Sequence, residues 1–301
     1  MNILKRTITT LCSCMLLLNT SITVNAQTAL STPKLVAEKL YDVSPSNETH
    51  PTGKQTSQIN VMWKKVSGAK KYEVQVKSSS DSRYKKWKTV KTVTATKSAT
   101  QHYKVSNLKR ITNYKFRVRA VSGKTKSKYS STQSINTARM NYSTNDFKAV
   151  CQIVYHEVGQ SSSNRAWDKP IVLVSDAMIN TWVGKQYTKD SRFTGYYKWA
   201  KSISDIVYDR GHLGMAWDYN ARKSNRDSVY KKIPKKIKNA VYGALYGKTM
   251  VGKVANDYHV AYWCNGHTYV RSSHTYNITP AGIRYNIRAS YNGRDKVHNN
   301  K

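Results

Sequence analysis

Between residues 31 and about 138, apolar side chains recur at every second position. Ile59, Val61 and Trp63, then Tyr72, Val74 and Val76, then Tyr114, Phe116, Val118 and Ala120 alternate with polar neighbours, which is the period of a strand with one buried face. Ser, Gly, Asn and Lys separate the runs, so the region predicts short antiparallel strands in a β-sandwich. From Asp146 the period changes to 3.6. Phe147, Val150, Cys151, Val154 and Val158 fall on the stripe of an amphipathic helix that Gly159 can stop. The change of period predicts a domain boundary, with residues 141–145 as a short polar connector and Ser143 or Thr144 as the helix cap.

Further along, Asp168-Lys169-Pro170 is a helix start, and residues 171–182 are apolar enough for a helix buried on most sides. Another helix is expected over 202–208. Pro234 opens a third, with Ile237, Val241, Ala244 and Leu245 as its buried stripe and Gly247 as its stop. Alternation then returns at 260–264 and 267–270, flanking Asn265-Gly266, a favoured hairpin turn. Residues 285–289 are expected to add an edge strand. The second half therefore reads as α+β, with a helical base and a late sheet.

The chain begins with Lys5 and Arg6, an apolar run over 8–18 and then Val24-Asn25-Ala26. That order predicts a secretory signal peptide over residues 1–26, cut before Gln27, and hence a secreted or wall-associated protein. No later stretch is long and apolar enough to span a membrane. The formal net charge is +35, and residues 27–140 alone carry 24 basic side chains against 5 acidic ones. Such a field attracts polyanions. For an exported protein these are expected to be anionic wall polymers rather than nucleic acid, met by strand faces bearing Lys64, Lys77, Lys115, Arg117 and Arg119. Past the leader only Cys151 and Cys264 remain; in an oxidising exterior they can pair, or Cys151 can be a buried free thiol.

Glu157 is the only glutamate after residue 73. Its spacing from Val150 and Val154 puts it on or beside the buried stripe near the helix C-terminus. Burial and the negative end of the helix dipole both favour its protonated form there, which is the state of a general acid. His156-Glu157 starts like a zinc-protease motif, but Gln160 stands where the second metal-binding His is required. No phosphate-binding Gly loop, nucleophile elbow or Cys-x-x-Cys pair is present, and no metal or cofactor is expected.

Leu108 six residues before Tyr114, Trp63 on an early strand and the run Tyr-Lys-Phe-Arg-Val-Arg-Ala-Val resemble a fibronectin type III module over residues 31–138. In the second half, Ile153-Val-Tyr-His-Glu-Val-Gly-Gln-Ser161, Val172-Leu-Val-Ser-Asp-Ala-Met-Ile-Asn180 and Ser202-Ile-Ser-Asp-Ile-Val-Tyr-Asp-Arg-Gly-His-Leu213 resemble, in order, three motifs of SleB-type spore cortex-lytic enzymes. The likeness covers most of residues 145–290. It implies a lysozyme-like fold and cleavage of peptidoglycan glycan strands, as a muramidase or a lytic transglycosylase, with the family's essential Glu at Glu157. Tyr155, Asn180, Tyr208, His212, Trp217 and Trp263 are the expected substrate contacts. The family usually writes Gly-Glu-Ala-Arg-Gly-Glu in its first motif and Gly-Gln-Phe in its third, where this chain has His156, Val158 and Gly211-His212-Leu213. A catalytically inactive wall-binding or adhesion protein is the alternative reading.

Overall fold

The alternating runs become strands. The computed structural model describes residues 29–38, 49–159, 168–187, 199–208, 226–247, 260–265, 275–278 and 285–289; the expected signal peptide lies outside them. Strand β1 (Ile59–Lys64) pairs antiparallel with β4 (Thr100–Val105). The facing sheet runs β3 (Lys88–Thr94), β2 (Lys71–Lys77), β5 (Asn113–Ser122), β6 (Thr125–Lys126), with β7 (Gln133–Asn136) also on β5. Trp63, Tyr72, Val74, Phe116, Val118 and Ile135 are fully buried between the two sheets, as the two-residue period requires. The expected strands over 59–63, 72–76 and 114–120 are therefore β1, β2 and β5.

Tyr114 does at β5 what its place after Leu108 predicts. Its hydroxyl accepts from the Lys109 backbone N–H at 2.8 Å and donates to Asp81 Oδ2 at 2.7 Å. Arg83 closes on the same carboxylate through Nη2 at 2.6 Å and Nε at 3.0 Å. The bonds from Arg83, then that from Tyr114, hold the Asp81 carboxyl well below the usual carboxylate range, against the opposing effect of burial. A depressed folded pKa gives stability that is present above the unfolded carboxylate value, near 3.9, and lost as pH falls through the folded one. Asp81→Asn is expected to lower stability at neutral pH and flatten the acid limb of the sandwich's denaturation profile, measured by urea unfolding at a series of pH values. An unchanged acid limb would show that Asp81 does not couple folding to protons.

Helix α1 (Thr144–Val154) opens on Ser143, whose Oγ accepts from Asp146 N while Asp146 Oδ2 accepts from Ser143 N. This is a reciprocal capping box. Asp146 Oδ1 also takes the N–H and hydroxyl of Ser204 at 3.2 and 2.7 Å, joining the start of α1 to that of α3 (Ile203–Tyr208). Ser143→Ala should cost about 1 kcal/mol, read as a lowered thermal midpoint; an unshifted midpoint would deny the cap that role. Around α1 pack α2 (Asp168–Tyr187), α3, α4 (Arg226–Lys232) and α5 (Lys235–Tyr246). Because neighbours surround it, α1 is not the one-faced helix expected: from Asp146 to Val154 only Lys148 is not buried. Helices α2, α3 and α5 fall where the sequence places them, and Gly247, at φ 66°, stops α5 in the left-handed conformation that glycine adopts without a steric penalty. Helix α4 has no counterpart in the pattern.

Three late strands form a sheet in the order β8 (Val260–Asn265), β10 (Tyr285–Ala289), β9 (Thr275–Ile278). This corrects one expectation, since 285–289 is the central strand of the three and not an edge. A strand's own pattern reports its buried face but not its place in the sheet. The other half of the expected hairpin, residues 267–270, lies outside the described residues. No helix among the described residues is long and apolar enough to cross a membrane.

The two halves meet through buried polar contacts, and residues 141–145 are not a free connector. Asn141 Oδ1 accepts from the N–H and hydroxyl of Thr56 at 2.9 and 3.0 Å, and Gln55 Nε2 donates to the Tyr142 carbonyl at 2.8 Å. Arg139, 2% exposed, extends from the end of β7 to Asp176 Oδ1 on α2 at 2.9 Å and to the Ala244 carbonyl on α5 at 3.1 Å. On the other side Glu38 meets His50 at 2.8 Å and accepts from the Tyr242 hydroxyl, while the His50 ring lies tilted against Tyr246 with centroids 4.3 Å apart. Burial, reinforced by Glu38, pushes the Tyr242 hydroxyl far above its ordinary range, so it remains a donor.

Candidate functional site

At Val154 the α-helical hydrogen bonding of α1 ends, and Tyr155–Gly159 continue as a π-helical turn. Glu157 sits within this turn, half-buried. It was expected in the last turn of an α-helix, in register with Val150 and Val154. The wider i→i−5 turn breaks that register, so the spacing no longer fixes its face. π-Turns occur disproportionately at functional sites because they re-aim side chains without ending the helix.

Around this turn the fold gathers part of the expected constellation. Tyr155 is half-buried and packs against the helical core. Tyr208, the last residue of α3, donates its hydroxyl to Oε1 of Gln152, a buried α1 residue on the turn before Glu157. The π-turn packs against α2, which carries Asn180, and α2 packs in turn against β8, which carries Trp263. The elements bearing four of the expected contacts and Glu157 are thus neighbours. His212 and Trp217 lie outside the described residues, as do the side chains of Asn180 and Trp263.

The sequence did not single out Gln152. Its signal was present: a glutamine among Val150, Cys151, Ile153 and Val154 is a polar group that the buried helix must satisfy. Two aspartates of the second half, each a possible second carboxyl beside Glu157, have structural partners. Asp176 is buried against Arg139, and Asp205 accepts from the N–H groups of Lys201 and Ser202 at the start of α3. Asp209 and Asp218 lie outside the described residues. Cys151 is a free, fully buried thiol, and burial pushes it well above the ordinary thiol range. That is the opposite of an activated nucleophile; the side chain of Cys264, its expected partner in a bridge, lies outside the described residues.

In the first half, the two facing antiparallel sheets, the Tyr114 corner and the buried Trp63 accompany a match of residues 43–136 to the fibronectin type III sequence family. This part of the chain is a fibronectin type III domain. Solved structures similar to it include the FN1–FN3 domains of chicken CNTN1, at 21% identity over 36% of this chain and 30% of that one, with a TM-score of 0.26. A fibronectin type III domain of a human fibronectin type III domain containing protein is 21% identical over 38% of this chain and 91% of its own, with a TM-score of 0.26. A Fn3-like protein from Clostridium thermocellum is 21% identical over 35% and 88%, with a TM-score of 0.23. No curated protein is significantly similar to the chain.

Proposed function

We propose that the chain is an exported, wall-active enzyme whose helical half is lysozyme-like and cleaves the glycan strands of peptidoglycan, as SleB-type enzymes do. One observation carries this reading: the only glutamate of the second half is half-buried in a π-turn at the end of a buried helix, five residues after the Gln152 that accepts from Tyr208. Glu157 acts as general acid toward the glycosidic oxygen. As the bond from that oxygen to the anomeric carbon breaks, the sugar's own 6-hydroxyl attacks the carbon and its proton passes back to Glu157. A single carboxyl suffices for this internal route, whereas hydrolysis normally requires a second one to activate or replace water. The structural roles of Asp176 and Asp205 favour the internal route.

Incubating the full chain with purified sacculi and analysing the released muropeptides tests the proposal. 1,6-Anhydro ends support transglycosylation, reducing ends support hydrolysis, and no release from well-folded protein overturns both. The second reading, a wall-binding protein without catalysis, is favoured by the cationic face of the fibronectin type III sheet. It predicts salt-sensitive sacculus binding, no cleavage, and indifference to substitution of Glu157.

A further inference from the structure

On the outward face of β2 and β5, facing side chains form three successive rungs: Glu73 with Arg119, Gln75 with Arg117, and Lys77 with Lys115. Each rung is about 7 Å from the next, two residues along the strand. The first holds a carboxylate of its own, with Arg119 Nη2 at 2.6 Å and Lys126 Nζ at 2.9 Å from Glu73. The other two hold none. Among the described residues no carboxylate pairs with Lys77, Lys115 or Arg117, and like charges placed directly opposite across a sheet destabilise it. A fold that keeps Lys77 facing Lys115 leaves a place for an anion from outside.

Arg117 is oriented to receive one. Its guanidinium lies 4.2 Å from the Trp87 ring centroid and 4.1 Å from that of Tyr129, and Nε donates to Gln75 Oε1 at 2.9 Å. Two rings and a neutral amide fix the plane of the fork without cancelling its charge. A planar guanidinium held in this way meets paired oxygens at little further entropic cost.

We propose that this face is a binding strip for a flexible phosphodiester polymer, with Arg117 as the oriented anion fork and the Lys77–Lys115 rung as its neighbouring contact. A phosphodiester offers two non-bridging oxygens to the fork and carries its charge in the chain itself, so successive charges follow successive rungs. Single-stranded nucleic acid is the weaker fit, because Trp87 and Tyr129 each give a ring face to Arg117 where a base-binding surface would leave it bare. The strip is independent of Glu157.

The test is binding of the full chain to purified poly(glycerol phosphate), followed by fluorescence anisotropy at low and high salt. Binding is expected to fall steeply with salt. Arg117→Ala should weaken it by about tenfold or more, and Arg117→Lys should fail to restore it, because the ammonium lacks the fork. The Lys77→Ala/Lys115→Ala double variant leaves the Trp87 and Tyr129 contacts of Arg117 in place and should also weaken binding, with a melting temperature no lower than that of the wild type. Glu157→Gln should bind like the wild type. Unaltered affinity in both the Arg117 and the Lys77/Lys115 variants overturns the proposal, as does absence of binding. Tighter binding of single-stranded DNA of matched charge overturns the choice of a base-free phosphodiester over nucleic acid, and equal binding of polyglutamate overturns the phosphodiester assignment itself.

Discussion

Glu157→Gln is expected to fold like the wild type and to lose muropeptide release by about 10²- to 10⁴-fold, the usual contribution of a positioned general acid. The substitution keeps the shape and hydrogen-bonding reach of the side chain and removes only the proton that must reach the bridging oxygen. The Ser143–Asp146 cap, the buried length of α1 and the Tyr208–Gln152 bond are all made by other residues. Circular dichroism and thermal unfolding should therefore coincide for the two proteins, and sacculus binding should be retained. Glu157→Asp should also lose most activity, since a carboxyl one methylene shorter stands back from the oxygen it must protonate. Full activity in Glu157→Gln would remove Glu157 from the chemistry, and with it the internal route. Loss of activity with loss of folding would instead assign Glu157 a structural role in the turn.

How much of this could be read from the chain depended on whether the controlling contact was local. The strands β1, β2 and β5 and the helix α5 were legible because each is fixed by the periodicity of its own residues, and α2 because Asp168-Lys169-Pro170 starts a run apolar enough to be buried on most sides. Ser143, Gly247 and the Tyr114 corner were legible for the same reason, as their partners lie three to five residues away. The π-turn was not. Hydrophobic spacing distinguishes periods of two and 3.6, and five residues from Tyr155 to Gly159 are too few to announce an i→i−5 turn. Helix α4 was missed because Arg226–Lys232 offers a single buried apolar residue, Val229, too few to make a stripe. The strand order β8-β10-β9 was hidden because pairing is decided between segments.

Of the candidate site, Glu157, Tyr155 and Tyr208 were nominated by residue type and motif, and the fold adds Gln152 as the group that positions Tyr208. The same locality explains why the contacts at the junction between the halves were not foreseen. Asn141 reads as linker material by composition, yet its partner Thr56 lies 85 residues earlier. Arg139 reads as one more cation in a basic sandwich, and Asp176 as a solvated helical acid, because nothing within either neighbourhood names the other.

That pair carries the second large effect. Asp176→Ala is expected to destabilise the chain by about 3–5 kcal/mol, the usual penalty for removing one partner of a buried ion pair. Arg139 is 2% exposed and cannot rehydrate in place, so truncating Asp176 removes the carboxylate that faces a buried guanidinium, which keeps its bond to the Ala244 carbonyl. The strain falls on both halves, since the Arg139 backbone N–H donates to Leu245 on α5 at 2.8 Å and its carbonyl accepts from Arg110 at 2.8 Å. Urea unfolding followed by tryptophan fluorescence measures the loss. The decisive companion is Arg139→Met/Asp176→Leu, which removes both charges and fills the volume with apolar atoms. Because the pair's attraction largely offsets its own desolvation, the double variant should recover most of the stability that Asp176→Ala loses. If instead the single and double variants are equally destabilised, the loss comes from packing and not from the stranded charge. If Asp176→Ala changes stability by less than about 1 kcal/mol, the ion pair does not hold the fibronectin type III domain against α2 and α5.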